Sequence, residues 1–181
     1  GEGPLWTNGS YIDAEVGTDG RVHVGYVSNL DYTADSGDRY IQNQLYYAQT
    51  NTSGGWSASI IDGDSDDQFD IGTYVDLEIH ETDWFGDTVT TASFAYYDGD
   101  MGNARVADVL IGGGTPITTP IGSGFPPSWT GGLLMSAQYT SLGLDSNGKH
   151  YIAWYDPSAL IGFAPQIQYS QYTWDPTSVF P

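Results

Sequence analysis

The stretch GSYIDAEV at residues 9–16 returns as GTYVDLEI at residues 72–79. The two copies share Gly, Tyr, Asp and Glu at the same places, with aliphatic or hydroxyl residues at most of the places between them. Polar and apolar residues that alternate in this way are typical of a β-strand whose two faces differ. A strand that occurs twice indicates a chain built from repeats, so further copies are expected.

A third, more divergent copy begins at Tyr139 and reads YTSLGL. This tyrosine lies 65 residues after Tyr74, which itself lies 63 residues after Tyr11. In the first and third copies the strand is followed by a turn, TDG at 18–20 and DSNG at 145–148. Turn residues of this kind between two strand-like segments are a strong signal of a β-hairpin. The sequence therefore predicts a strand–turn–strand unit at the start of each repeat.

Each repeat then contains two further strand-like segments with the same alternation. The third strands are LYYAQ (45–49), ARVAD (104–108) and IQYSQ (167–171), and the fourth are WSASII (56–61), PITTPI (116–121) and TSVF (177–180). Helical periodicity is missing, and residues 122–136 form a loop rich in Gly and Pro. The sequence predicts a single all-β domain over residues 1–181, with four-stranded antiparallel blades at about 10–62, 72–121 and 137–181.

Four antiparallel strands repeated at a fixed period are the sequence signature of β-propeller blades. The repeated Tyr-x-Asp strand and the aromatic second strand, such as HYIAWYD at 150–156, resemble the blades of exported bacterial and archaeal β-propellers. Those proteins are loosely related to the sialidase-like (BNR) and WD-like repeat families. TNTSGGWS (50–57) is similar to a degenerate Asp-box. The resemblance implies a fold and no particular activity, because propellers host many activities.

Three blades are fewer than the four to eight that close a propeller, and they would leave two open edges. We therefore expect the ring to be completed by another copy of the chain or by the rest of a larger protein. A symmetric dimer with six blades is the simplest closed solution. A head-to-tail polymer and a curved stack of sheets that does not close are the alternatives.

The net charge of the chain excludes one class of partner, nucleic acids. The chain has 23 acidic and four basic residues and a net charge of −19, so it cannot offer the cationic surface that nucleic acids require. No apolar run is long enough to span a membrane, and we expect no membrane insertion. Cys is absent, which excludes disulfides and thiolate chemistry. Sequons at Asn8 and Asn51 give weak support for a secreted or cell-surface protein.

The acids inside the first strands allow two interpretations. Alternate residues of a strand share a face, so Tyr11, Asp13 and Glu15 point the same way, as do their counterparts in the second repeat. The carboxylates could hold a cation or an amine near the axis, or each Asp could accept backbone N–H groups and tie adjacent blades together. We favour the second interpretation because buried polar groups are usually paired. The third repeat has Ser141 and Gly143 at these positions, which a catalytic or metal ring would not tolerate.

A second acidic cluster lies in the segment IIDGDSDDQFD (60–70). Its candidate calcium ligands are Asp62, Asp64, Asp66, Asp67 and Asp70. The first three have the spacing that opens a calcium loop, but the sixth position is not Gly and the twelfth is Thr73 instead of Glu. An EF-hand is excluded. A weak Ca²⁺ site and a solvated turn between blades both remain open.

Catalytic signatures are missing. The sequence has no nucleophile elbow, P-loop or dinucleotide fingerprint. The three histidines are too scattered for a zinc site, and His23 and His150 occupy near-equivalent places in their second strands, which indicates packing. A sialidase-like enzyme uses three arginines on the substrate carboxylate. Arg21, Arg39 and Arg105 lie in a turn, a loop and a third strand, and we do not expect them to converge.

Aromatic residues outside the repeated strands are the better candidates for a binding surface. Trp84 and Phe85 lie in the longer turn of the second repeat, and Trp129 lies in the Gly/Pro-rich loop. The sequence favours a non-enzymatic extracellular module with a structural, adhesive or assembly role through protein–protein contacts. A carbohydrate-binding, lectin-type propeller is the alternative, and a sialidase-like or other glycoside hydrolase is the third hypothesis.

Overall fold

The computed structural model describes residues 5–33, 39–63, 71–84, 86–99, 102–121, 138–156 and 166–173. These ranges contain eleven β-strands: β1 (Leu5–Val16), β2 (Val22–Thr33), β3 (Arg39–Thr50), β4 (Trp56–Asp62), β5 (Ile71–Trp84), β6 (Asp87–Asp98), β7 (Asn103–Leu110), β8 (Ile117–Pro120), β9 (Gln138–Leu144), β10 (Lys149–Asp156) and β11 (Gln166–Thr173). The described part of the chain is all-β, as the alternation of polar and apolar residues predicts.

The strands form three antiparallel sheets that follow the three repeats. Sheet 1 has the order β1-β2-β3-β4, sheet 2 the order β5-β6-β7-β8, and sheet 3 the order β9-β10-β11. Every strand therefore pairs with its neighbour in sequence, which is the meander expected of a blade. The fourth strand expected at 177–180 and the loop at 122–136 lie outside the described residues. The described sheets form an open stack and not a closed ring.

The sheets stack face to face in chain order, and they approach most closely at their first strands, β1, β5 and β9. Sheet 2 lies in the middle and is buried on both faces, so that residues 91–99 are all inaccessible to solvent. Two cores result. Leu45, Tyr47, Leu77, Phe94 and Tyr96 pack between sheets 1 and 2, and Ala95, Tyr97, Val106, Ile152 and Trp154 pack between sheets 2 and 3.

Strand register gives each sheet two distinct faces. Asp13, Asp76 and Ser141 are opposite Gly25, Ala95 and Ala153 in their second strands, so these three pairs are equivalent positions of the repeat. We call the face that carries these pairs the forward face. In sheets 1 and 2 it points to the next sheet along the chain, and the other face is called the rear face.

Small residues on the forward face make room for large ones on the rear face of the next sheet. A Cβ atom at Gly25 would lie 2.9 Å from Cε1 of Phe94 and 3.1 Å from a methyl group of Val75. Phe94 is fully buried and cannot move away. Gly25 is therefore required by a close approach between sheets 1 and 2.

The repeated tyrosines lie at a β-bulge in each first strand. Tyr11, Tyr74 and Tyr139 have φ values of 53°, 57° and 55°, and strand register shifts at each of them. A non-glycine residue in this left-handed region costs on the order of 1–3 kcal/mol. The rings compensate by contact across the stack, with centroids 5.0 Å apart for Tyr11 and Tyr74 and 4.6 Å apart for Tyr74 and Tyr139.

The close approach at Gly25 gives a prediction for stability. Substitution Gly25→Ala should lower the free energy of unfolding by about 1–3 kcal/mol, because the added methyl group overpacks the contact with Phe94. Denaturant unfolding measures this change. Gly143→Ala is the matched control, since a Cβ atom there meets no atom within 4 Å. Equal stability of the two variants would contradict the packing described here.

Candidate functional site

The acids of the first strands bind the backbone of the next sheet. Asp13 Oδ2 accepts a hydrogen bond from the backbone N–H of Leu77 at 2.8 Å, and Asp76 Oδ2 accepts one from Leu142 at 2.7 Å. Glu15 accepts a third from the N–H of Ile79. The interpretation that these aspartates tie adjacent repeats through backbone N–H groups is confirmed for both pairs of sheets.

The hydrogen bonds from Leu77 to Asp13 and from Leu142 to Asp76, which we call ties, join equivalent positions of the repeats. The same positions therefore identify the donor at the sheet 1 end of the stack and the acceptor at the sheet 3 end. Leu77 and Leu142 follow Asp76 and Ser141 directly, so their counterpart in sheet 1 is Ala14. The N–H of Ala14 is bonded to the side chain of its own neighbour, Asp13, at 2.8 Å. At the other end Ser141 occupies the acceptor position of sheet 3 and hydrogen-bonds Asp76 behind it.

The carboxyl groups of the first strands are crowded and partly buried. Burial raises the pKa of Asp76, and its hydrogen bond with Asp13 raises it further. Burial also raises the pKa of Glu78, to which repulsion by Glu15, Asp76 and Asp13 adds. The pKa of Glu15 is raised chiefly by burial, although the bond from Ile79 opposes the shift. These groups therefore resist full ionisation together.

Asp62 is the one proposed calcium ligand within the described residues. Its Oδ2 accepts a hydrogen bond from the hydroxyl of Tyr96 at 2.5 Å and lies 3.3 Å from Nη1 of Arg105. Arg105 also bonds Asp98 at 2.9 Å, so this network links sheet 1 to sheet 2. Asp64, Asp66, Asp67 and Asp70 lie outside the described residues. Among the described residues no group of three or more acidic or histidine side chains is placed to hold a metal ion, and the calcium site stays a prediction.

The aromatic candidates for a binding surface are only partly placed. Trp84 is the last residue of β5 and pairs with Asp87 across the β5–β6 turn. Phe85 and Trp129 lie outside the described residues. Their role in binding a partner or a sugar stays a prediction.

Two histidines are buried in polar networks. His23 Nδ1 lies 2.7 Å from the hydroxyl of Tyr47. His150 Nε2 lies 2.9 Å from Oγ of Ser93 and 3.0 Å from Oδ1 of Asp108, so one nitrogen faces both groups. A catalytic triad needs the two nitrogens of the ring to face the hydroxyl and the carboxylate separately. The fully buried Ser93–His150–Asp108 group does not have that arrangement.

The sequence predicts near-equivalent places for His23 and His150 in their second strands, and the structure separates the two places by one residue of register. His23 pairs with Glu15 across its sheet, whereas His150 pairs with Leu144, which corresponds to Val16. Because side chains alternate along a strand, the offset places His23 on a forward face and His150 on a rear face. The two rings therefore pack on opposite sides of sheet 2, and their burial is not inherited from one repeat position.

The arginines of the sialidase-like hypothesis are held apart where the structure describes their side chains. Arg21 pairs with Asp19 in the β1–β2 turn at 3.3 Å. Arg105 is held on β7 by Asp62 and Asp98. Neither guanidinium is directed at a shared substrate position.

Within the described ranges, nothing packs on two sheet faces, the rear face of sheet 1 and the forward face of sheet 3. The rear face of sheet 1 is apolar and accessible: Val16 is 66% exposed and Ile60 is 47% exposed, with Ile12 and Trp56 nearby on exposed positions. Tyr26 and Tyr46 stack on this face with their centroids 5.3 Å apart. Sequence reasoning did not identify this surface. The apolar alternate positions of β1, Ile12, Ala14 and Val16, read the same in sequence as those of a buried face.

The carboxylate ties predict a specific loss of stability. Asp13→Ala should lower the free energy of unfolding by about 1–3 kcal/mol, because the N–H of Leu77 loses its acceptor inside the stack. Urea unfolding at neutral pH measures the effect. Asp13→Asn keeps an acceptor oxygen and is the matched control, with a smaller expected loss. If Asp13→Ala is no less stable than Asp13→Asn, the tie contributes nothing to the fold.

The raised pKa values predict how stability depends on pH. Asp76, Glu78 and Glu15 bind a proton more tightly in the folded chain than in the unfolded chain, so stability should fall as pH rises through their raised pKa values. The melting temperature should therefore be higher at about pH 5 than at pH 7. Glu78→Gln should raise stability at pH 7 and flatten this dependence. Asp87→Asn, an exposed acid at the β5–β6 turn, removes the same charge and should do neither.

Comparison with known proteins identifies no relative of the chain. No protein-family model matches the chain, and neither the curated proteins nor the solved structures contain a match. The described residues include no helix with the length and apolar character of a membrane span. Any functional conclusion therefore depends on the geometry of the stack itself.

Proposed function

We propose that the chain is a non-enzymatic structural and assembly module of the β-propeller type, which acts through protein–protein contacts made by its open sheet faces. The observation that carries the proposal is the pair of faces at the ends of the stack on which none of the described residues pack. Each is equivalent in sequence register to a face that is packed inside the same chain.

The chemistry of the described residues supports a structural role. The acids of the first strands are used in ties between sheets, and Arg105 is used in a link between sheets 1 and 2. The Ser93–His150–Asp108 group is buried in the packing of sheet 2 against sheet 3. These particular groups are thus engaged in contacts that hold the sheets together.

The surface of sheet 1 supports a contact with protein. A contiguous apolar face on an otherwise strongly acidic molecule is typical of an interaction site. The net charge of −19 keeps the chain soluble while the apolar face remains available. Packing of this face against another sheet would bury the same kinds of side chain that the interior buries.

An extracellular setting is part of the proposal. The sequon at Asn51 lies in the β3–β4 turn, and Asn51, Thr52 and Ser53 are all exposed. The turn is ordered by Asn51 itself, whose Oδ1 accepts a hydrogen bond from the N–H of Gly55 at 2.8 Å. An exposed sequon on a tight turn is the context that N-glycosylation needs.

Light scattering over a range of protein concentrations tests the proposed contact. The chain should associate at micromolar concentrations, and Ile60→Glu should abolish association by placing a charge on the apolar face of sheet 1. Thr88→Glu adds the same charge at an exposed position of the β5–β6 hairpin and should leave association unchanged. A chain that stays monomeric at every concentration, or an Ile60→Glu variant that associates normally, would contradict the proposal.

The carbohydrate-binding alternative has its own test. Glycan-array binding that is lost on Trp84→Ala and on Trp129→Ala would favour a lectin-type module over a structural one. The structural proposal predicts no glycan signal above that of a denatured control.

A further inference from the structure

We infer that two copies of the chain associate head to tail, with the forward face of sheet 3 of one copy on the rear face of sheet 1 of the other. The inference rests on the proposed function and names both the partner and the orientation of the contact. Two such contacts, related by a twofold axis, would close six sheets into a ring.

The forward face of sheet 3 is the counterpart of two faces that are already packed. By strand register Leu45 of sheet 1 corresponds to Ala104 and Ile167, which lie opposite Val27, Tyr97 and Tyr155. Leu45 is 0% exposed, whereas Ile167 is 74% exposed. The position that is buried in sheets 1 and 2 is open in sheet 3.

The neighbouring position behaves in the same way. Tyr47, Val106 and Tyr169 lie opposite Gly25, Ala95 and Ala153. Tyr47 is 4% exposed beneath sheet 2, but Tyr169 is 55% exposed. Sheet 3 thus repeats the tyrosine of sheet 1, and keeps the small residue beside it that lets the next sheet approach.

The rear face of sheet 1 is equivalent to the rear faces of sheets 2 and 3, which pack against the forward faces of sheets 1 and 2. Tyr26 corresponds to Tyr96 and Trp154, both of which are buried against the preceding sheet. Ala14 corresponds to Leu77 and Leu142, which are also buried there, yet Ala14 is exposed. Tyr26 and Ala14 thus have the same positions as side chains that are packed in the later repeats, but none of the described sheets covers them.

A polar group completes the match. In both internal contacts the forward face of one sheet supplies the acceptor, and the rear face of the next sheet supplies a backbone N–H. Ser141 lies at the acceptor position, and the N–H of Ala14 lies at the donor position. In the single chain this N–H donates to Asp13. A neutral hydroxyl accepts a weaker hydrogen bond than a carboxylate does. The contact between copies is therefore weaker than the contacts inside the chain, and reversible.

Only the head-to-tail orientation satisfies these groups. Two rear faces would set the N–H groups of two Ala14 residues against each other, and neither copy would supply an acceptor to the other. Two forward faces would place the Ala153 and Ser141 of one copy against the same residues of the other. No large side chain would then fill the space that the small residue Ala153 provides. A forward face on a rear face pairs donor with acceptor and a small residue with a large one.

Two variants that each block one face test the orientation. Ile60→Glu places a charge on the rear face of sheet 1, and Ile167→Glu places one on the forward face of sheet 3; both side chains are exposed, so the fold should survive. By light scattering or native mass spectrometry each variant alone should be monomeric. An equimolar mixture should form a heterodimer, because each copy keeps the face that the other has lost. Thr88→Glu should associate like the original chain.

The outcomes separate this inference from the proposed function. If one variant alone still dimerises, or if the mixture stays monomeric, the chain can still associate through an open face but the head-to-tail orientation is overturned. If the unaltered chain never associates, both are overturned. Circular dichroism of each variant confirms that the sheets have formed.

The polar contact can be tested separately. Ser141→Asp restores the acceptor found in the other two repeats and should tighten the association at pH 7 by roughly tenfold. Ser141→Ala removes the acceptor and should weaken it. Equal affinities for the three chains would overturn the assignment of Ser141 to the contact between copies.

Discussion

The hydrogen bond from a backbone N–H of one sheet to the aspartate of the sheet before it is the constraint on which the stack depends. Asp13 and Asp76 align the first strands of successive sheets in the same register, and this alignment determines which larger side chains pack against each other. A bond from a backbone N–H survives substitution of the residue that donates it, unless the new residue is proline. The repeat therefore depends on the identity of the acceptor, whereas the donor can be any residue that has a backbone N–H.

This constraint explains why three tyrosines remain in a strained conformation. The bulge at Tyr74 lies two residues before Asp76, and the tilted tyrosine rings contact one another from sheet to sheet beside the aspartate hydrogen bonds. Strain of this kind persists only where its surroundings determine it fully. The carboxyl groups carry a second cost, because their crowding raises the pKa of Asp76 and Glu78. Both costs are offset by two continuous cores on either side of sheet 2.

Much of this architecture could be predicted from the sequence, because a strand leaves a pattern of period two and a repeat leaves a period of its own. Strand placement, including LYYAQ, ARVAD and IQYSQ as third strands, followed from those patterns, as did the role of Asp13. The left-handed tyrosines could not be predicted, since nothing in residue type marks a bulge at a non-glycine position. Nor could the offset between His23 and His150, because a difference of one residue in register is invisible without the pairing. The open face of sheet 1 looks the same in sequence as a buried one.

Backbone amide exchange by NMR tests the tie between sheets most directly. In the Ile60→Glu chain, which is expected to be monomeric, the N–H groups of Leu77 and Leu142 should exchange slowly and that of Ala14 quickly, because only the first two are bonded to another sheet. In Asp13→Ala, exchange at Leu77 should accelerate by at least tenfold more than exchange at Leu142, which keeps Asp76 as its acceptor. Equal acceleration at both amides, or fast exchange at Leu77 in the unaltered chain, would contradict the account.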